Sequence, residues 1–143
     1  MSRALLDVNV LLALLDGDHI DHERATEWLD LEIGAGWASC PVTENGFVRI
    51  MSQPRYPSPI PAAQAIELLG EACESEHHEF WPCDVSILDA RIVDRFRLLG
   101  PRQITDAYLL ALATARRGRF VTFDRALSPS PVYGATADHL IVL

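Results

Sequence analysis

The first apolar stretch, Ala4-Leu5-Leu6, shows no alternation with polar residues, which predicts a short strand buried on both faces of a parallel sheet. Val8 to Leu15 then reads as a helix, broken at Gly17. His19 to Leu31 predicts a second helix, with Ala25, Trp28 and Leu29 on one face and His22, Glu23, Glu27 and Asp30 among its polar positions. After the turn Gly34-Ala35-Gly36 comes a strand candidate, Trp37 to Cys40. Thr43 is placed as the N-cap of a helix whose apolar set is Phe47, Val48, Ile50 and Met51. Residues 53–61 hold four prolines and read as a loop. Ala62 to Glu74 predicts a helix, Glu79-Phe80-Trp81 a strand, and Ser86 the cap of a helix running to about Leu99, stopped by Gly100-Pro101. Thr105 is placed as the cap of a helix reaching Arg117. Its interior, Ala107 to Ala115, is apolar nearly all round, so it is expected to be buried on most sides. Phe120-Val121-Thr122 is a strand, and Leu140 to Val142 a candidate for the last one.

Strands alternating with helices imply a mostly parallel sheet in an α/β sandwich. No repeat or linker interrupts the chain, and 143 residues suit one domain with one core. A hydrophobic fraction of 49% with 22% charged residues argues against a disordered chain. The three cysteines, Cys40, Cys73 and Cys83, form no CxxC pair, so neither a disulfide framework nor a zinc motif is expected. A reducing cytoplasm is the simplest setting. The apolar start resembles a signal peptide only superficially, because Asp7 and Asn9 interrupt it, and no apolar run approaches the length of a membrane span.

Net charge changes the picture. At −8 the chain lacks the overall basic character of most nucleic-acid binders. Either a divalent metal offsets clustered carboxylates, or the partner is itself basic.

Four acids share a placement. Asp7 directly follows the first strand, and Asp124 follows Phe120 to Phe123. Glu44 and Asp106 stand at expected helix starts. Ligands of open α/β sheets bind beyond the carboxyl ends of the strands, so these four side chains can converge there. Each alone also fits a structural role: Glu44 and Asp106 suit a helix first turn, and Asp124 suits a turn. Asp7, between Leu6 and Val8, is harder to place that way, because an unpaired buried charge is costly. Hard cations such as Mg²⁺ and Mn²⁺ prefer such oxygen ligands and support phosphodiester displacement.

The segments around these acids resemble the PIN-domain family, in particular VapC-type toxins of type II toxin–antitoxin pairs. The segments are Leu5-Leu6-Asp7-Val8-Asn9-Val10-Leu11, Thr43-Glu44-Asn45-Gly46-Phe47-Val48-Arg49, Ile104-Thr105-Asp106-Ala107-Tyr108-Leu109 and Val121-Thr122-Phe123-Asp124. The resemblance implies a PIN-like three-layer α/β/α sandwich over 1–143. It further implies a Mg²⁺- or Mn²⁺-dependent endoribonuclease, with Asp7 and Asp106 as the direct metal ligands and Glu44 and Asp124 completing the site. Asn9 stands where other members carry a hydroxyl residue, and it and Thr105 would support the site by hydrogen bonds. RNA would be the substrate, a cognate antitoxin with a partly basic segment the inhibitor, and a homodimer the usual assembly.

The remaining features carry less chemistry. His19 and His22 are spaced i, i+3 but have no third nitrogen or sulfur ligand nearby, and His77-His78 reads as solvated loop before a strand. Trp28, Trp37 and Trp81 are spaced as core or interface residues. Arg49 and Arg125 lie near acids and would neutralise them or touch phosphate. Arg116, Arg117 and Arg119 suit a helix C-terminus. A catalytically silent PIN-like binding module is the rival reading. A response-regulator phosphoacceptor is excluded for its familiar chemistry, because all twelve basic residues are Arg and no Lys is present.

Overall fold

The computed structural model describes residues 2–143. Its centre is a five-stranded parallel sheet of β1 (Ala4–Leu6), β2 (Trp37–Ser39), β3 (His78–Phe80), β4 (Arg119–Thr122) and β5 (Leu140–Val142), in the order β3-β2-β1-β4-β5. The helices are α1 (Val8–Leu15), α2 (His22–Glu32), α3 (Pro41–Ser52), α4 (Ala62–Ala72) and α5 (Ile104–Ala115). Wholly apolar Ala4-Leu5-Leu6 becomes the central strand, buried on both faces as its pattern requires. On one face Ala4, Leu6, Trp37 and Val121 pack against Val10 and Leu11 of α1, Phe47 and Met51 of α3, and Leu69 of α4. On the other face Leu5, Ala38 and Phe120 meet the apolar interior of α5, Leu109 to Ala113. The result is the expected α/β/α sandwich. Among the described residues no helix is long and apolar enough to cross a membrane.

Three local expectations are corrected. Helix α3 starts at Pro41, with Cys40 rather than Thr43 as its N-cap. Proline fits the first helical position because its missing N–H would have had no intrahelical partner. Thr43 sits one turn inside, where its hydroxyl accepts from the Cys40 N–H at 3.0 Å and so serves the cap in reverse. Likewise α5 begins at Ile104, after a short 3₁₀ turn over Pro101–Gln103, so Thr105 lies within the helix and does not cap it.

The helix expected from Ser86 to Leu99 does not form. The segment is a series of turns with one antiparallel bridge, Val93 to Val132, and a 3₁₀ turn at Arg95–Arg97. Local side-chain bonds compete with the helix: Ser86, Asp89 and Asp94 each accept from the N–H two residues on. Val85, Ile87, Ile92 and Leu98 still cover the α5 face of the sheet, while Leu88 and Phe96 are left 90% and 84% exposed.

The proline loop is tied to the end of α1. Tyr56 Oη donates to Asp16 Oδ2 at 2.5 Å, and Asp16 also closes α1 through its N–H to the Leu12 carbonyl. Tyr56→Phe is expected to cost about 1–2 kcal/mol, as loss of a hydrogen bond to a charged group. Urea denaturation with an unchanged m-value would show it as a lower midpoint.

Candidate active site

In the sheet order, β2 and β3 lie to one side of β1, while β4 and β5 lie to the other. The connection therefore reverses between β1 and β4, and ligands bind in the crevice such a reversal opens at the carboxyl ends of the strands. Asp7 leaves β1 at this crevice, Asp124 follows β4 on its other wall, and Asp106 reaches it from the first turn of α5.

Asp7 is only 8% exposed. It caps α1: its Oδ1 accepts from the Val8 N–H at 2.7 Å, and its backbone carbonyl accepts from Val10 and Leu11. Its Oδ2 accepts from the Thr122 hydroxyl at 2.6 Å. Burial pushes the Asp7 carboxyl above its ordinary range. The bonds from Thr122 and Val8 act against that, and the charge of Asp124 adds to it. Asp106 moves further, up to about 7, by burial first and then by the charge of Asp7, a hydrogen bond with Asp124 and the Asp124 charge. These three carboxyls therefore share one small space. Asp124 is held by its own turn, with its N–H donating to Thr122 Oγ1 at 3.0 Å and its Oδ1 accepting from Ala126 at 2.9 Å.

Thr122 joins these parts. Its hydroxyl donates to Asp7 and accepts from the Asp124 N–H and from Asn9 Nδ2 at 3.3 Å, which uses its full hydrogen-bonding capacity. Asn9 also accepts from the Phe123 N–H, so it clamps α1 to the end of β4. Thr122 was not singled out from sequence. The only signal was its place at a strand end two residues before Asp124. Thr105 is exposed, and its hydroxyl makes no hydrogen bond among the described residues. It lines a cleft of about 690 Å³ together with Val8, Asn45, Arg49, Ala62 and Ile66.

Glu44 has different neighbours. It lies near the start of α3, and its Oε2 accepts from the Ser39 hydroxyl at 2.7 Å. Ser39 Oγ is also 2.8 Å from His78 Nε2. His78, expected in a solvated loop, is the first residue of β3, and its ring tilts against Trp37 at 4.5 Å between centroids. His19 and His22 serve local structure: His19 Nδ1 accepts from the Asp21 N–H, and His22 Nδ1 meets the Ala13 carbonyl.

Among the described residues, no ion pair engages Asp7, Asp106 or Asp124. Three converging carboxyls with no protein cation to balance them suit a hard divalent ion, which takes oxygen ligands and relieves their mutual repulsion. The side chains present therefore fit such an ion.

A parallel sheet with carboxylates gathered at its reversal point defines the class, and the chain belongs to the PIN-domain family, whose pattern matches residues 4–129. Within that family it is of the VapC type. It is 63% identical over 141 residues to Ribonuclease VapC44 of Mycobacterium tuberculosis, covering 99% of each chain. To Ribonuclease VapC38 of the same organism it is 45% identical over 122 residues, covering 85% of this chain and 84% of the relative. To Ribonuclease VapC39 it is 42% identical over 133 residues, covering 92% and 95%.

Proposed function

We propose that this chain is a metal-dependent endoribonuclease acting as the toxin of a toxin–antitoxin pair, with Asp7 and Asp106 as the direct ligands of Mg²⁺ or Mn²⁺ and Asp124 beside them. The observation that carries the reading is the meeting of Asp7, Asp106 and Asp124, from distant parts of the chain, in one crevice without a cation. The names of the relatives supply the substrate class: each is a ribonuclease. A bound divalent ion would polarise the phosphodiester and lower the pKa of a bound water.

The chain's own residues prepare the site. The Val8 N–H bonds one oxygen of the Asp7 carboxylate and the Thr122 hydroxyl the other, which fixes its orientation and leaves each oxygen a lone pair for a metal. Asn9 holds the β4 end against α1. Arg49 lines the same cleft as Thr105 and would there neutralise an acid or meet a backbone phosphate. The role of Glu44 in the reaction, and that of Thr105, rest on the family resemblance.

The same reading takes 1–143 as one nuclease domain. Pairing of β5 with β4 supports it, because it brings the segment beyond residue 129 into the sheet. Exposed Leu88, Phe96 and Leu99 offer apolar surface for the antitoxin or a second copy of the chain. Cytoplasmic RNA is the substrate this reading requires.

The direct test is chelation. Protein stripped of metal, mixed with total RNA and then given Mg²⁺ or Mn²⁺, is expected to produce discrete new RNA ends only after the ion is added. Ends that form in the chelated sample would overturn the metal-dependent reading. Metal binding with no new ends would favour the silent binding module.

A further inference from the structure

We propose a second metal site on this chain, formed by Glu44 of α3, Cys73 at the C-terminal cap of α4 and His78 of β3, that takes a borderline-soft divalent ion of the zinc type. One ligand atom from each residue lies within 4.8 Å of the other two. The three come from separate elements that the β2–β3 edge of the sheet brings together. All three are half-buried.

The donor chemistry distinguishes this site from the aspartate crevice. Carboxylate, thiolate and imidazole together form the oxygen, sulfur and nitrogen set that suits Zn²⁺, whereas three carboxylates suit Mg²⁺ or Mn²⁺. Three protein ligands leave a fourth tetrahedral position for water. The ligands are also pre-oriented. Ser39 Oγ stands 2.7 Å from Glu44 Oε2, 2.8 Å from His78 Nε2 and 3.8 Å from Cys73 Sγ, so one buried hydroxyl touches all three donors. Nε2 is the His78 ring nitrogen that faces Ser39 Oγ. Binding is a balanced exchange: the Cys73 thiol releases its proton to solvent as the metal–sulfur bond forms, and the Ser39 hydroxyl keeps its own.

The experiment uses the full chain, reduced and chelated, with excess Mg²⁺ present to occupy the aspartate crevice. Co²⁺ is then titrated as the spectroscopic probe. The expected result is the visible absorption of low-coordinate cobalt with a near-ultraviolet thiolate charge-transfer band, both removed by competing Zn²⁺. Cys73→Ser should lose the charge-transfer band, and His78→Gln should weaken Co²⁺ binding by about tenfold or more. Cys83→Ser should keep the full spectrum. Absence of a thiolate band from the parent protein, or its survival in Cys73→Ser, would overturn the proposal. If Cys73→Ser does not fold, His78→Gln decides: unchanged Co²⁺ affinity there removes His78 from the site. None of these readouts depends on RNA cleavage, so an inactive nuclease would leave the outcome intact.

Discussion

Asp106→Asn is expected to make the metal-free protein more stable and the loaded enzyme nearly inactive. In the folded chain the Asp106 carboxyl is pushed up to about 7 by burial and by its two aspartate neighbours, whereas an unfolded Asp titrates near 3.9. A raised folded pKa means that the stabilising contribution is fully present below about pH 4 and is lost as pH climbs through about 7. At pH 8 the ionised carboxylate therefore opposes folding, and Asn removes that opposition. At about 1.4 kcal/mol per pKa unit the shift would correspond to roughly 4 kcal/mol, but the partial exposure of Asp106 reduces this to on the order of 1–2 kcal/mol.

Scanning calorimetry in chelator should then show the variant melting above the parent by about 3–8 °C at pH 8, with the gap narrowing by about pH 5 and closing near about pH 4. Added Mg²⁺ should raise the parent's melting temperature and leave the variant nearly unchanged. Cleavage should fall by on the order of a thousandfold, because the electrostatic help of a bound ion is worth several kcal/mol. Equal melting temperatures at pH 8 would mean that the three carboxyls do not share one repulsive site.

The second large effect is expected at a residue that need not touch metal or RNA. Thr122→Val keeps the shape of the side chain but removes the donor to Asp7 Oδ2 and the acceptor for Asn9 and the Asp124 N–H. The Asp7 carboxylate, 8% exposed, then keeps only the Val8 N–H of its two side-chain bonds. Leaving buried groups unpaired should cost about 1–3 kcal/mol in chelator. Residues that orient a metal ligand typically change affinity by about 10–100-fold, and Mg²⁺ or Mn²⁺ affinity should fall by that much. Thr122→Ser should restore most of both. Thr114→Val is the comparison: the Thr114 hydroxyl bonds back to the Leu110 carbonyl within α5, so its loss should leave metal affinity unchanged. A Thr122→Val protein with normal metal affinity would show that Asp7 needs no help in orientation.

Local pattern carried a great deal of this protein. The unbroken apolar run of β1, the helix that starts immediately after Asp7, the apolar interior of α5 and the strand before Asp124 were all readable, because each depends on periodicity or burial over a few adjacent residues. So was the placing of Asp7, Glu44, Asp106 and Asp124 at strand ends or helix starts; the three aspartates influence one another there, whereas Glu44 bonds to Ser39. The segment from Ser86 to Leu99 was misread because its spacing of apolar residues fits a helix, while its Ser and Asp side chains bond to nearby N–H groups and favour turns. The starts of α3 and α5 were misplaced for a related reason: Thr43 and Thr105 have capping chemistry, but Pro41 and the turn at Pro101–Gln103 begin the helices earlier.

What no local pattern contains is which strands become neighbours. Only the sheet order sets β1 beside β4, bringing Thr122 to Asp7 across 115 positions of sequence, and only the β2–β3 pairing brings His78 to Ser39 and Glu44. Residue types at single positions determined which side chains could hold a metal. Contacts made across the sheet decided which of them meet, because a hydrogen bond depends on the distance between two atoms in the folded chain and not on their separation along it.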